Sequence, residues 1–543
     1  MSDPVRRLPA RPSLEQLHKQ AKELLSQYRA DHGSMALADA QFVLAREYGF
    51  ESWAKLKHHI EAMRSARLFS SATPPFYKID WEENALSVRG ELSEKDWETV
   101  FAAVKEHKIT RLSADGMSDA ALPRLATLDH VTHLNLAGSR ELTDQGLRNL
   151  AAMPQLQDLE VGGARSSISD HGLDVLHHLS ELRRFQSCWT KGISDAGLAN
   201  LAFCHQLEDV NLLGTRAGDG VIQALAGKPH LGRFKSGDAV TDGGLKLLHH
   251  FPMFKTWHGG EIKYGLMSAE AGPTRLLIDG PFTNAGVASL VGLDGLFALT
   301  FFWHCPEFTS AGLAPLRHLQ NLGFLGCHNK HCDDEAMRHI AAMPRLRMLM
   351  GQGAVASDKG FAALSRSQTI EYIWGRECPN LTGKGFTALK AIPALRGIAL
   401  SSKNVDDAAL SELPHFPALR ELLAMDFNDA GFRHVGACEN LESLWCMYCQ
   451  ETGDTATEHI ASLAKLKRYY AGRTKITDRS LKILGRMTSL ERLEFWQCSG
   501  ITNAGVANLA SLPHLREVAL SGLPNVTRDA VALFPAQVRV NYS

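Results

Sequence analysis

The sequence predicts an α/β solenoid, a stack of short units, each one strand and one helix, forming a parallel inner sheet with helices outside. Three observations predict it. A six-residue phrase recurs down most of the chain, an alternating apolar stretch follows each copy, and 543 residues are several times what one hydrophobic core can use.

The phrase reads apolar, Thr/Ser, Asp, any residue, Gly/Ala, Leu. It stands as Leu142-Thr143-Asp144-Gln145-Gly146-Leu147 and returns from Ile168, Ile193, Val240, Ile476 and Ile501. Looser copies start at Met117, Ala217, Phe282, Phe308, Cys332, Ala356, Leu381, Val405, Phe427, Thr452 and Val526, and a degenerate one at Leu92. Most steps are 22 to 26 residues, whereas the step from Val240 to Phe282 is 42. The Thr or Ser is a helix N-cap, and the Asp after it suits the positive end of its own helix. A short apolar-periodic helix follows, often ended by proline, as at Pro154 and Pro344. The next stretch alternates, as in Leu156-Gln157-Asp158-Leu159-Glu160-Val161, and reads as a short strand. One such unit cannot bury its own apolar face, so the array folds by stacking.

Four cysteines, Cys305, Cys378, Cys449 and Cys498, sit three residues before the phrase. On that pattern the units resemble the cysteine-containing class of leucine-rich repeats, found in F-box/leucine-rich-repeat proteins and bacterial leucine-rich-repeat proteins. The resemblance covers about residues 83–543 and implies a leucine-rich-repeat horseshoe. The segment GGEIKYGLMSAEAG breaks the pattern. Phe254 and Trp257 read as a strand before it and Thr274–Ile278 as another after it, so an irregular rung is expected near 259–281.

A small all-α module is expected over 1–65, joined by a linker over 66–82 to the solenoid over 83–543. Residues 13–29 read as an amphipathic helix with a Ser13/Gln16 capping pattern and an apolar face of Leu14, Leu17, Ala21, Leu24 and Leu25. Residues 35–48 and 52–63 read as two more helices. The phrases LPARPSLEQL and ADAQFVLAREYGFESWAKLK are similar to the segment that precedes repeats in many bacterial ankyrin-type proteins. They do not resemble an F-box, so a ubiquitin-ligase adaptor role is not implied. A helix-turn-helix reading would use Lys55, Lys57, His58 and His59 against phosphate. The interleaved Glu47, Glu51 and Glu61 favour a packing or docking module instead.

Lysine plus arginine (58) nearly cancels aspartate plus glutamate (59), so the totals give no basic surface for nucleic acid. No run of apolar residues is long enough for a secretory signal or a membrane span. Ten cysteines spread over so long a chain read as reduced thiols, and a cytoplasmic protein is expected. Phosphate-binding, nucleophile-elbow, zinc-protease and dinucleotide motifs are missing, so no enzyme and no cofactor is expected. Cys446 and Cys449 form a CxxC without a partner pair. His304, Cys305, His328, His331 and Cys332 are the one group from which a zinc site could be built, beside the reading that they are core and unit-start residues.

Side chains between the buried strand positions should face solvent on the concave surface. One column runs Asn135, Glu160, Gln186, Asn211, Lys235, His258, then Met350, Trp374, Ala399, Leu423, Trp445 and Tyr470. The column before it carries Phe324, Met348, Tyr372, Arg468 and Arg492, and Phe302 and Trp496 fall just beyond. Exposed apolar patches usually mark interaction sites; the alternatives are that neighbouring rungs bury these rings against one another, or that the rings stack on a sugar or nucleotide base. Phe324, Met348, Met350, Tyr372 and Trp374 are therefore the expected centre of a partner-binding surface, extended by Trp445, Arg468 and Tyr470. The expected function is a scaffold that binds a protein or peptide partner, with self-association as one form of it. The alternative is a ligand-sensing or nucleic-acid-linked regulator with the helical module as its output.

Overall fold

The computed structural model describes residues 17, 19–22, 24–25, 37–48, 53, 56–57, 76–88, 92–267, 272–401, 403–447 and 449–542. The chain divides into two compact units, Met1–Leu156 and Gln157–Ser543.

In the first unit, helix α1 (Leu37–Glu47) contributes Leu44 and Ala45 to a small core with Leu17, Ala21 and Leu56. Leu17, Ala21 and Leu24 share the predicted apolar face. The Ser13/Gln16 pattern, Met35, Lys55, His58 and His59 lie outside the described residues. Strands β1 (Tyr77–Asp80) and β2 (Ala85–Val88) pair antiparallel, so strand structure occupies part of the expected linker. Strands β3 (Arg111–Ser113) and β4 (His133–Asn135) then add in parallel. The degenerate phrase at Leu92 opens helix α2 (Glu94–Glu106) through a reciprocal Ser93/Asp96 capping box.

The second unit is one parallel ladder in chain order. It begins with β5 (Asp158–Glu160), β6 (Arg184–Gln186), β7 (Asp209–Asn211), β8 (Arg233–Lys235) and β9 (Arg275–Ile278). It continues through β10 (Ala298–Phe301), β11 (Phe324–Gly326), β12 (Met348–Met350), β13 (Tyr372–Gly375), β14 (Gly397–Leu400) and β15 (Glu421–Met425). It ends with β16 (Ser443–Met447), β17 (Arg468–Gly472), β18 (Arg492–Trp496), β19 (Glu517–Ser521) and β20 (Arg539–Tyr542). The second residue of each strand from β5 to β19, such as Leu159, Phe185, Phe234, Leu325, Ile373 and Leu493, is buried. Parallel neighbours need a crossover, and each unit's helix supplies it. Several crossovers are tight 3-10 turns, as over Asp170–His178 and Ser310–His318. No described helix is long and apolar enough to cross a membrane.

The 42-residue step holds one rung, not two. Pro252–Lys255 is a short helix and β8 pairs directly with β9, which puts Leu277 beside Lys235 where the sequence suggested His258. The expected strand at Phe254 and Trp257 does not form: proline at the first helical position starts a turn of helix there, and Phe254 stacks on Phe251 inside the core, ring centroids 5.5 Å apart.

The repeated Asp does more than favour its own helix. Most of the Thr and Ser residues of the phrase cap the helix they precede, as Thr502 Oγ1 does by accepting from Ala504 N–H, whereas Thr309, Thr382 and Thr527 make no such bond. The Asp reaches to the next rung. Asp478 accepts from Thr502 N–H at 2.8 Å and Oγ1 at 2.7 Å, and Asp119, Asp170, Asp219, Asp358 and Asp454 hold Thr143, Ser194, Thr241, Thr382 and Thr477 in the same way. A glycine at the fifth position of the phrase leaves room for this carboxylate, as at Gly505, where a Cβ would lie 2.0 Å from Asp478 Oδ1. The unit-start cysteines donate likewise across rungs, Cys449 Sγ to Ala424 O at 3.1 Å and Cys498 Sγ to Ala471 O at 3.5 Å.

These bonds couple the array to acid. Burial alone would raise the Asp358 carboxyl, but bonds from Thr382 and Gly385 and the nearby Lys384 outweigh it and hold the group below its ordinary 3.8. Asp454 is held down in the same way by Ser480 and Thr477. A lowered folded value means stability that is present above the unfolded value and lost as pH falls through the folded one. Thermal melts should therefore drop steeply below pH 3.8. The pair Asp358→Asn and Asp454→Asn should flatten that drop, and equal acid sensitivity in the variant would refute the ladder's role.

Candidate functional site

The outward face of the second unit carries two rows, set by the strand register. The first runs Arg184, Asp209, Arg233, Arg275, Ala298, Phe324, Met348, Tyr372, Gly397, Glu421, Ser443, Arg468, Arg492. In the second, Met350 pairs with Trp374 and Trp374 with Ala399, and Leu423 pairs with Trp445 and Trp445 with Tyr470. From β5 onward both predicted columns are rows on one face, except that Leu277 takes the place expected for His258.

Their exposure differs from the expectation. Phe324, Met348 and Tyr372, expected to face solvent, retain only 2%, 1% and 3% of their exposure. Residues 257–266 cover them. In this segment Ile262, Tyr264 and Leu266 point toward the sheet, while Glu261, Lys263 and Met267 are exposed. That alternation is what an extended chain gives. From Phe297 beside β10 to Glu421 on β15 is five strand spacings, about 24 Å. Its contacts run from Phe297 to Glu421, so the segment lies over these strands as a strap.

Trp257 and Tyr264 lean on Phe297, ring centroids 6.0 and 5.9 Å away. Leu266 is fully buried with Phe324, Met348, Tyr372, Ala399 and Leu423. Its N–H donates to Glu421 Oε2 at 3.1 Å, while Tyr372 Oη donates to Glu421 Oε1 and lies equally close to Tyr264 O, 3.3 Å each. Burial pushes the Tyr264 phenol up to about 12, and burial with Glu421 and Glu371 alongside raises that of Tyr372, so both stay neutral. Two glycines make room: a Cβ on Gly323 would meet Tyr264 Oη at 2.3 Å, and one on Gly397 would meet the Tyr372 ring at 2.4 Å. Between strap and strand starts lies a cavity of about 770 Å³, lined among others by Tyr264, Arg345, Arg347, Glu371 and Arg396.

Beyond the strap the rows open. Met350, Trp374, Trp445, Met447, Tyr470 and Trp496 are half-buried, and Arg468 and Arg492 are exposed. The Arg473 guanidinium lies 4.6 Å over the Trp496 ring. Along the strand starts, charges alternate from rung to rung. Glu371 pairs with Arg347 (3.3 Å) and Arg396 (3.7 Å), and Glu442 with Arg420 (3.3 Å) and Lys467 (3.2 Å). These pairs neutralise much of the rim's positive charge.

The cysteine–histidine group is dispersed. His304 Nδ1 faces Asp279 Oδ2 at 3.1 Å, and His328 Nδ1 accepts from Gln352 N–H at 3.3 Å. Burial pushes His328 down to about 4 and the Cys305 thiol up to about 12. His331 packs against Phe308, centroids 5.1 Å apart. Among the described residues no three His, Cys, Asp or Glu side chains are placed to hold a metal ion. Cys446 is buried and raised well above the ordinary thiol range, first by burial.

Sequence reasoning missed the strap, the cations of β8 and β9 other than Lys235, and an aromatic group at the strand ends. Trp189 and Trp303 are 46% and 51% exposed, and Phe302 joins them, its ring 6.2 Å from Trp189 and 5.2 Å from Trp303. The signals were present as a period of two through Ile262, Tyr264 and Leu266, and as glycine in an outward column at Gly397.

No protein-family model matches the chain. Among solved structures it is similar to an internalin (inlF) from Listeria monocytogenes, with 17% identity over 74% of this chain and 93% of that one, TM-score 0.34. It is also similar to a chain of the Rad7 and Elc1 complex in yeast, with 13% identity over 90% and 96%, TM-score 0.36. A leucine-rich-repeat protein of Leptospira interrogans matches at 12% identity over 82% and 98%, TM-score 0.33. Unit by unit, with one inner parallel strand and one outer helix joined by the recurring capped phrase, the fold of this chain is a leucine-rich-repeat solenoid.

Proposed function

We infer that this chain is a non-enzymatic binding protein that takes a partner protein or peptide on the open face of its parallel sheet. The carrying observation is the in-register strip of half-buried Met350, Trp374, Trp445 and Tyr470, with Arg468 beside it. Apolar rings left partly wet on a rigid sheet gain by being covered, and Trp, Tyr and Arg are the residues that dominate interface energies. Phe324, Met348 and Tyr372 serve this surface from beneath, as the bed on which the strap lies. The rim charges supply orientation rather than catalysis, because they are paired with one another.

A photo-crosslinking residue at position 445 of the full chain, in native cells, should yield a discrete adduct that Tyr470→Ala abolishes. The same residue at position 482, on an outer helix, should not. An adduct of two copies of this chain would assign the strip to self-association. Equal labelling from both positions, or none from position 445, would reject the reading.

A further inference from the structure

Four cations meet on the face of β6–β9. Arg184, Arg233 and Arg275 occupy the first row and Lys235 the second. β5 carries Asp158 and Glu160, and Arg184 is 3.5 Å from Asp158. The Asp209 carboxylate lies among them and all four cations influence it, so four cations meet three carboxylates on these strands. Arg233 and Arg275 stand in register on neighbouring strands, where like charges repel. The cluster lines a cavity of about 240 Å³ whose other side carries the partly exposed Leu277 and Met350 with Thr300, over the buried Ala298 and Phe324. Trp189, Phe302 and Trp303 form an exposed aromatic group among the same rungs.

Excess positive charge beside an apolar shelf fits an anionic group carried next to an apolar one. We propose that this cavity docks an acidic peptide segment of a partner protein, its Glu or Asp carboxylate meeting Arg233, Lys235 and Arg275 and a neighbouring apolar side chain lying on Leu277 and Met350. The proposal rests on the reading that the sheet face binds a partner. Charge complementarity selects the occupant. Nucleic acid fits less well, because Asp209 would oppose a run of phosphates and the apolar wall has no use for a sugar-phosphate backbone. Guanidiniums side by side suit a carboxylate's two oxygens.

The test uses the full chain and fluorescence anisotropy with a labelled peptide of about 12 residues, in which Glu-Glu-Leu-Phe is flanked by Gly and Ser. Binding should weaken about tenfold or more when both Glu are replaced by Gln, when salt is raised, and in the double variant Arg233→Glu/Lys235→Glu. The milder Arg233→Gln/Lys235→Gln, checked for native circular dichroism, should show the same direction. Unchanged affinity in folded variants, or equal binding of the Gln peptide, overturns the proposal. So does a single-stranded RNA of similar length that binds more tightly than the peptide and is lost in the same variants. The crosslink from position 445 reads a different stretch of the face, so loss of this site and loss of the wider reading are told apart.

Discussion

Leu266→Asp should release the strap and expose the apolar bed beneath it while the array stays folded. Leu266 is buried among Phe324, Met348, Tyr372 and Leu423, and the carboxylate beside it is Glu421, which already accepts its N–H. An aspartate there would bury a second negative charge with no cation among those contacts, a cost of several kcal/mol. The strap has no helix or strand of its own to resist that cost. Binding of a hydrophobic dye should rise severalfold, and trypsin should cut at Lys263, which is exposed on the strap. Far-UV circular dichroism should barely change, because the ladder from β5 to β20 does not depend on the strap for backbone pairing. If dye binding and cleavage match wild type, the segment does not hold the face closed.

Gly505→Ala should destabilise the array although helix propensity favours it. Alanine in place of glycine within a helix normally gains about 1 kcal/mol. Here the added Cβ would stand 2.0 Å from Asp478 Oδ1, and the carboxylate must shift, which weakens its bonds from Thr502 N–H and Oγ1. Losing bonds to a charged acceptor costs roughly 1.5–3 kcal/mol, so the sign reverses. In the background Asp478→Ala the same glycine substitution should become neutral or stabilising. That reversal in a double-mutant cycle separates the clash from a generic helix effect. Ser480 marks the exception: it stands at the same position beside Asp454, which keeps Thr477 N–H and Oγ1, and its own hydroxyl donates to that carboxylate, a bond that alanine lacks. If the single substitution raises the melting temperature, the rung-to-rung bond is not a constraint on the phrase.

Much of the fold was legible because its determinants are local and periodic. Thr502 and Asn503 set a helix start within two residues, and Leu493 and Phe495 alternate into the core. The rows of outward residues followed from the same alternation, which is why Tyr372 and Trp374 could be placed on one face before any coordinates. The reading failed at His258, where a strand was expected because spacing resumed. It also failed to see which row would be wet. Phe324 and Tyr372 read as exposed because nothing near them in the chain covers them. Their cover is Leu266, whose bond to Glu421 joins residues 155 positions apart.

By itself the sequence determined the unit, its helix cap, its buried positions and the order of stacking, because each depends on neighbours within about one repeat. Only the tertiary structure decided where each aspartate's second bond goes, that a strap crosses the face, and that Arg233, Lys235 and Arg275 gather at one cavity. Those are contacts between rungs, and the stack alone brings their partners within a few ångströms.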